Sequence, residues 1–482
     1  MASVSGLARD VDDVRRRYER AGQGQVFAFW DRLDAAGRAR LLGSAAAFDP
    51  AAVVRAFEGA RAPSARPARL EPPGVLRLPE RCSSRDEARV ATAHRRRARE
   101  RGEALLAAGG VAVLIVAGGQ GTRLGFPGPK GAFPLGPLTQ RTLFGQQAQK
   151  IHALRRRTGR ALPWLLMTSD ATDEATRALF EAEGWFGLPR EDVRLFRQGA
   201  LPNVDLDGRI LLAAPDRLAV SPDGHGGVIP ALAQAGLLDW LEARGVTRLS
   251  YAQVDNPLVP LADPVFLGHH DLEGAEMSAK VVAKRAPDER VGTVGRHGDR
   301  IWVIEYTEVD PWHRDRRGPD GELAFWAGSI AIHVLNIDFV RRVAASAERL
   351  LRAHASPKPI PTVDPAGRPL VPNAANGYKL ERFVFDALPE ARRVALLEVR
   401  REEEYSPIKN RTGRESPRSA REDLVACYHR WLREAGVSGV PNDAWIEIDE
   451  SVVDGPDALL AAGVRRVGPE TPWIRWGTRE TT

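Results

Sequence analysis

The segment best equipped for chemistry runs from Ala117 through Gly118, Gly119, Gln120, Gly121, Thr122, Arg123 and Leu124 to Gly125, with Pro129-Lys130-Gly131 close behind. Glycines at 118, 119 and 121, directly after the apolar run 111–116, let a backbone approach a chain of phosphates with its amides turned toward them. A Walker loop is excluded, because no Gly-Lys-Ser/Thr stands at the required spacing. A dinucleotide-binding turn fits poorly, since Arg123 and Lys130 add cations that a plain pyrophosphate cradle does not need. The competing interpretation is a simple strand-to-helix turn. The basic residues carry a second signal. Of 69 Lys plus Arg, only seven are lysine: Lys130, Lys150, Lys280, Lys284, Lys358, Lys379 and Lys409. Where nearly every cation is arginine, a retained lysine marks a place that needs a compact, mobile point charge instead of a planar fork. Lys358 reads as an ordinary surface lysine.

Such residues need elements to hold them. VAVLIV at 111–116 is short and wholly apolar, as a parallel strand buried on both faces must be. Leu143, Gln147, Ile151 and Leu154 recur at helical spacing and predict a helix over 140–157. Further strands are expected at 163–168, 248–254, 278–284 and 327–334, with helices at 171–182 and 230–244 between some of them. This alternation predicts an α/β protein, a three-layer α/β/α Rossmann-like sandwich whose ligands lie at the carboxyl ends of the strands. The Asp207-Gly208 pair marks a hairpin within 205–212. Residues 8–61 read as helices, on Phe27, Phe29, Trp30, Leu33, Leu41 and Leu42, and a proline-rich connector follows at 62–74. A long charged helix is expected from Glu87 to Ala108, and near the other end a helix at 419–435 precedes the strand WIEI. The expected division is a helical N-terminal region at 1–108, a central domain at 109–394 and a small C-terminal domain at 395–482.

Composition narrows the function classes. The chain has 482 residues, 43% of them apolar and 27% charged, which suits an ordinary globular protein with a large core. Two cysteines, Cys82 and Cys427, cannot build a disulfide framework and suit a reducing compartment. With no signal-peptide core at the start and no apolar run of membrane length, the expected place is the cytoplasm, away from any membrane. The net charge of +6 is modest, and the tracts Arg95–Arg97 and Arg155–Arg157 read as solvated helix faces. No nucleic-acid partner is expected, for want of a recognised module, and no obligate protein partner is evident.

The motif LIVAGGQGTRLGFPGPKG resembles the nucleotide-binding signature of the UDP-sugar pyrophosphorylases, especially the eukaryotic-type UDP-N-acetylhexosamine enzymes. The resemblance continues, in the family order, through PWLLMTS (163–169), FRQGALP (196–202), SPDGHGGV (221–228), YAQVDNPLV (251–259) and VGTV (291–294). It extends through IEYTE (304–308), NGYKLERFVFD (376–386) and EEEYSPIKN (402–410), covering roughly residues 25–460. It implies a nucleotidyltransferase (GT-A-like) central domain with smaller pieces at each end. It also implies an activity: UTP and a sugar 1-phosphate, N-acetylglucosamine 1-phosphate above others, give a UDP-sugar and pyrophosphate with Mg2+ as cofactor.

By this resemblance Ala117, Gly118, Gly119, Gly121 and Arg123 hold the departing phosphates, and Lys130 stands by the α- and β-phosphates. Lys379 and Lys409 take the other lysine positions of the family, on the incoming phosphates. Asp255 is the implied magnesium ligand, although a carboxylate ending a strand can also merely cap the next turn. Gln198 and Gly224 match the base-reading positions; a structural glutamine is the alternative. Gly292, Glu305, Tyr306, Phe383 and Phe385 match the sugar site. Two positions depart from the hexosamine pattern: His225 and Ser329 stand where asparagine is usual, and Gly-His-Gly is closer to the UDP-glucose enzymes. Glucose or galactose 1-phosphate is therefore the near rival as acceptor, and a non-catalytic nucleotide-sugar-binding protein the rival of another class.

Overall fold

The structure is a computed structural model that describes residues 4–62 and 67–477, so residues 63–66 of the expected connector lie outside it. The described chain forms two compact units, each assembled from separate stretches of sequence. Met1–Ala68, Gln198–Ala231 and Val343–Ala387 make the smaller; Arg69–Arg197, Leu232–Arg342 and Leu388–Thr482 make the larger.

The larger unit is built on a nine-stranded mixed sheet, in agreement with the α/β expectation. Val111–Val116 lies at its centre, parallel to Arg248–Gln253 on one side and to Trp164–Thr168 on the other, with Val193–Arg197 beyond. The strands at 111–116 and 164–168 could be read from sequence because burial on both faces demands nearly unbroken apolar runs, whereas Val193–Arg197, only partly buried, was not expected. Past Arg248–Gln253 the sheet turns antiparallel. The long strand Ala327–Asn336 pairs with it through His333–Asn336, and with Gly292–His297 through Gly328 and Ser329. Met277–Ala283 lies along the opposite edge of that strand, followed by Val394–Glu398 in parallel, and Arg300–Ile304 pairs with Gly292–His297.

Local chemistry fixes the surrounding helices. Leu143–Thr158 begins where Thr142 accepts a bond from the Gly145 amide and ends at Gly159, with φ of 64°. The helix expected over 230–244 is instead two, Val228–Gln234 and Leu237–Glu242, because Gly236 adopts a left-handed φ of 66° that stops the first. Arg85–Ala107 and Pro264–Leu272 pack backbone to backbone. A Cβ on Gly102 would stand 1.9 Å from the Pro264 carbonyl oxygen, and one on Gly268 would stand 1.7 Å from that of Ala98. His94 Nε2 and His269 Nδ1, 3.0 Å apart, join the same two helices. The helix Pro417–Glu434 opens with a Ser416–Ser419 capping box, and its Leu424, Tyr428 and Leu432 belong to the same core as the central strands. Among the described residues no helix is long and apolar enough to cross a membrane.

In the smaller unit, helices Ala35–Ala46 and Pro50–Arg61 share a core with a sheet of Ala353–Lys358, Gly377–Arg382 and Val204–Asp205. Tyr18, Phe27, Leu41, Phe57, Ile210 and Leu380 are its centre. The expected turn at Asp207-Gly208 is present: Gly208 has φ of 88°, and the Asp205 carboxylate accepts from the amides of Asp207 and Arg209.

Candidate functional site

The carboxyl ends of three neighbouring parallel strands lie level, with Val116 in register with Gln253 on one side and Met167 on the other. The glycine loop leaves from Val116 and folds back on itself. The Gly121 amide donates to the Gly128 carbonyl (2.8 Å) and the Lys130 amide to that of Gly119 (2.9 Å). Gly121 must be glycine here, since a Cβ would sit 2.8 Å from the Phe126 ring. Ser169, at the end of the neighbouring strand, donates through Oγ to the Gly118 carbonyl at 2.8 Å. Gly119, Gln120, Thr122 and Arg123 remain exposed, and Arg123 rides on the single turn Thr122–Leu124. The amides of Leu124, Gly125, Phe126 and Gly128 also bond within the loop, and the fold-back returns Lys130 to its mouth.

Lys130 meets Asp255 there. Their side chains approach to 3.1 Å, and the same ammonium donates to the Ile408 carbonyl at 3.3 Å. Asp255 follows the strand Arg248–Gln253, and its own carbonyl accepts the Ile408 amide at 2.9 Å. Lys409 is therefore held beside them, its Nζ 3.4 Å from both the Tyr405 hydroxyl and the Glu415 carboxylate. Burial works to lower the Lys409 pKa, but Tyr405, Glu415 and Asp255 together outweigh it and leave the net shift upward. The side chain, 38% exposed, keeps its charge throughout the neutral range. Sequence reasoning missed the clamp behind this cluster: Asn256 donates to the Glu404 carbonyl (2.6 Å) and accepts from the Ser406 amide (3.0 Å). The signal was present in the adjacency of Asn256 to Asp255.

The smaller unit holds Gln198, Gly224, His225, Lys379, Phe383 and Phe385. Gly224, with φ of 86°, lets the 222–228 turn press against Gly377–Arg382; a Cβ there would lie 2.4 Å from the Arg382 carbonyl oxygen. Gln198 is oriented by a residue the sequence did not single out. Its Nε2 lies 3.4 Å from Asp223, a buried carboxylate whose pKa is raised by burial against the opposing pull of Arg382 and Gln198. Lys379 pairs with Glu381 at 3.0 Å on the same strand. His225 stacks on Phe383 (5.1 Å between centroids) and meets Phe385 edge-on. Its Nδ1 accepts from the Val384 amide at 3.2 Å, which assigns the ring proton to Nε2.

Of the remaining residues implied for the sugar, all lie in the larger unit. Gly292 and Ser329 are paired across neighbouring strands, and a Cβ on Gly292 would meet Val303 at 2.6 Å. The Ser329 hydroxyl is enclosed and has no hydrogen-bond partner among the described residues. Glu305 and Tyr306 follow Arg300–Ile304, with Tyr306 well exposed.

Comparison with known proteins follows the same lines. A family described as UTP–glucose-1-phosphate uridylyltransferase matches residues 79–414. The chain is 39% identical over 444 residues to UDP-N-acetylhexosamine pyrophosphorylase-like protein 1 of Xenopus tropicalis, covering 90% of this chain and 86% of that one. It is 34% identical to UDP-N-acetylglucosamine diphosphorylase 2 of Arabidopsis thaliana, over 86% and 83% of the two chains. The crystal structure of the Trypanosoma brucei uridine diphosphate N-acetylglucosamine pyrophosphorylase in complex with an inhibitor superposes with a TM-score of 0.76 at 27% identity, over 94% of each chain. The chain belongs to the UTP–glucose-1-phosphate uridylyltransferase family, together with the UDP-N-acetylhexosamine pyrophosphorylases.

Proposed function

We propose that this protein is a uridylyltransferase that joins UTP to a sugar 1-phosphate, N-acetylglucosamine 1-phosphate foremost, releasing pyrophosphate and a UDP-sugar. The observation that carries the reading is the Lys130–Asp255 pair, with Lys409 beside it, at the mouth of a glycine loop. A binding protein has no need of so concentrated a charge cluster. The reaction is an in-line displacement. A phosphate oxygen of the sugar 1-phosphate bonds to the α-phosphorus of UTP, and the bond to the bridging oxygen breaks, its electron pair leaving with pyrophosphate. Little covalent work falls to the protein, so positioning and charge neutralisation supply most of the rate.

Each residue has a task in that scheme. Arg123 and the glycine loop hold the departing phosphates, Lys130 stabilises charge between the α- and β-phosphates, and Lys409 and Lys379 receive the incoming phosphate. The carboxylate of Asp255 is the hard oxygen donor that magnesium takes, and one such ligand is enough where phosphate and water complete the shell. Magnesium, when bound, would neutralise phosphate charge that otherwise keeps the two substrates apart. Gln198, oriented by Asp223, is proposed to read uracil by donating and accepting on one side chain. Gln198→Ala is expected to raise KM for UTP by about tenfold and to narrow its preference over CTP. Kinetics indistinguishable from wild type for both nucleotides would make Gln198 structural. The compartment proposed is the cytoplasm, on the two free thiols.

The test of the whole reading is pyrophosphate release from UTP across a panel of sugar 1-phosphates; no release with any of them removes it. Glucose 1-phosphate is the second acceptor to expect. Histidine and serine offer fewer hydrogen-bonding groups than the two asparagines they replace, and the Ser329 hydroxyl is enclosed. Discrimination for the acetamido group should therefore be modest, with kcat/KM for the two sugars within roughly a hundredfold. The double change His225→Asn with Ser329→Asn should widen the ratio toward the N-acetylated sugar. A wild-type preference above about ten-thousandfold, or an unaltered ratio in the double variant, would move specificity to other residues.

A further inference from the structure

Lys280, on Met277–Ala283 within the central sheet, has no exposed side-chain surface. Its ammonium reaches two carboxylates, Asp263 at 2.7 Å and Glu404 at 2.6 Å. Asp263 caps the helix Pro264–Leu272 through its other oxygen, 2.9 Å from the Val265 amide. Glu404 ends the short helix Arg401–Glu404, five residues before Lys409. The sheet itself yields to make room for Lys280. Its register with Ala327–Asn336 slips at this residue, which stands alone opposite Ile330, Ala331 and Ile332. Ala331 is held at φ of 54°, a left-handed value that costs any residue with a Cβ. Strain of this kind persists where the surroundings enforce it.

From Glu404 the connections run without a gap into the catalytic cluster. The Glu404 carbonyl and the Ser406 amide are both taken by Asn256, and the Ile408 amide is taken by Asp255. The Ile408 carbonyl in turn accepts from Lys130. We infer that Lys280 is a positioning residue: by holding Glu404 to the sheet it sets the 404–409 segment against Asp255-Asn256 and so places Lys409. An ion pair between these elements is more directional than apolar packing, and a shift of about 1 Å at a catalytic group can cost about a hundredfold in rate.

The electrostatics give the role a signature. Glu404 is pushed up to about 7 by burial, against the lowering pull of Lys280, with Asp263 and Glu403 pushing the same way as burial. Arg95 and Arg99, on the helix Arg85–Ala107, also act on this group of carboxylates, and Arg95 faces Glu398 and Glu80 besides. A carboxylate whose pKa is raised on folding favours the folded arrangement at low pH and opposes it as pH rises through the raised value. Lys280→Met leaves Asp263 and Glu404 facing each other without a cation, so its defect should grow from pH 6.5 to 8.5 relative to wild type.

The kinetic arm of the test rests on the uridylyl-transfer reading; the exchange arm does not. Lys280→Met is expected to lower kcat about 10- to 100-fold while KM for UTP stays within about threefold. Lys280→Met with Glu404→Gln removes both ends of the pair and should keep the kcat loss of Lys280→Met but not its growth from pH 6.5 to 8.5, because the repulsion with Asp263 is gone; a role in general stability alone would give no such change of pH profile. Glu404→Ala keeps the Lys280–Asp263 pair, and so guards against a variant that does not fold; it should show the same kcat loss. In hydrogen exchange, both single variants should lose protection in peptides covering 404–409, where the Ser406 and Ile408 amides are bonded. Folded Lys280→Met or Glu404→Ala with kcat within about threefold of wild type, or with 404–409 still protected, would overturn the inference.

Discussion

Lys130→Ala and Lys409→Ala should each lower kcat for pyrophosphate release by about two to four orders of magnitude, the usual effect of removing a preorganised charge from a transition state. Both side chains are already ordered by neighbours. Lys130 is held between Asp255 and the Ile408 carbonyl, and Lys409 between Tyr405 and Glu415. Neither needs to reorganise as charge builds, which is why the loss should fall on kcat. Arginine should not substitute at 130. A planar fork cannot take the place of an ammonium whose side chain is only 17% exposed and whose stem runs 3.8 Å from the Cβ position of Gly119. Lys409 should also contribute no descending limb to the kcat profile between pH 6 and 9, since its pKa is raised. Steady-state rates at saturating UTP decide the matter: alanine variants within about threefold of wild type would remove these lysines from the chemistry.

Asp255→Asn is expected to lower kcat/KM by about three orders of magnitude and to flatten the dependence of the residual rate on magnesium. The change keeps the shape of the side chain and leaves the Ile408 amide bonded to the residue 255 carbonyl, so the fold should survive. What it removes is the negative charge that both a metal ion and Lys130 require. Circular dichroism separates a folded variant from a collapsed one, and a magnesium titration of rate gives the readout. A variant with the magnesium dependence of wild type would mean that Asp255 only shapes the turn after its strand, as carboxylates at such positions often do.

Much of this site was legible before any coordinates. Glycines after a buried strand, an arginine within the loop and a lysine behind it point to phosphate chemistry through residue type and spacing, and the structure brings Lys130, Asp255 and the 408–409 backbone together at that loop. The lysine count was informative for a related reason. Beyond the expected site positions, Lys150 and Lys280 are buried. Lys150 donates to the Pro257 and Val259 carbonyls, and Lys280 pairs with two carboxylates. A compact ammonium fits such cages where a guanidinium would not. The strands at 111–116 and 164–168 were legible because burial on both faces writes itself as an apolar run, whereas half-buried Val193–Arg197 carries no such run, and Gly236 breaks the helix expected over 230–244.

What only the tertiary structure decided is which side chain stands behind each candidate. Asp223 orients Gln198 from 25 residues away, Asn256 clamps Ser406 from 150, and Lys280 meets Glu404 across 124. The same holds for the units, since Val204–Asp205 pairs with a strand at Gly377–Arg382, and Val394–Glu398 joins the sheet at Met277–Ala283. Periodicity and turn chemistry are local, set by steric preferences over a few residues. Partners for buried charges are set by where distant segments meet, and one chain alone carries no local mark of that meeting.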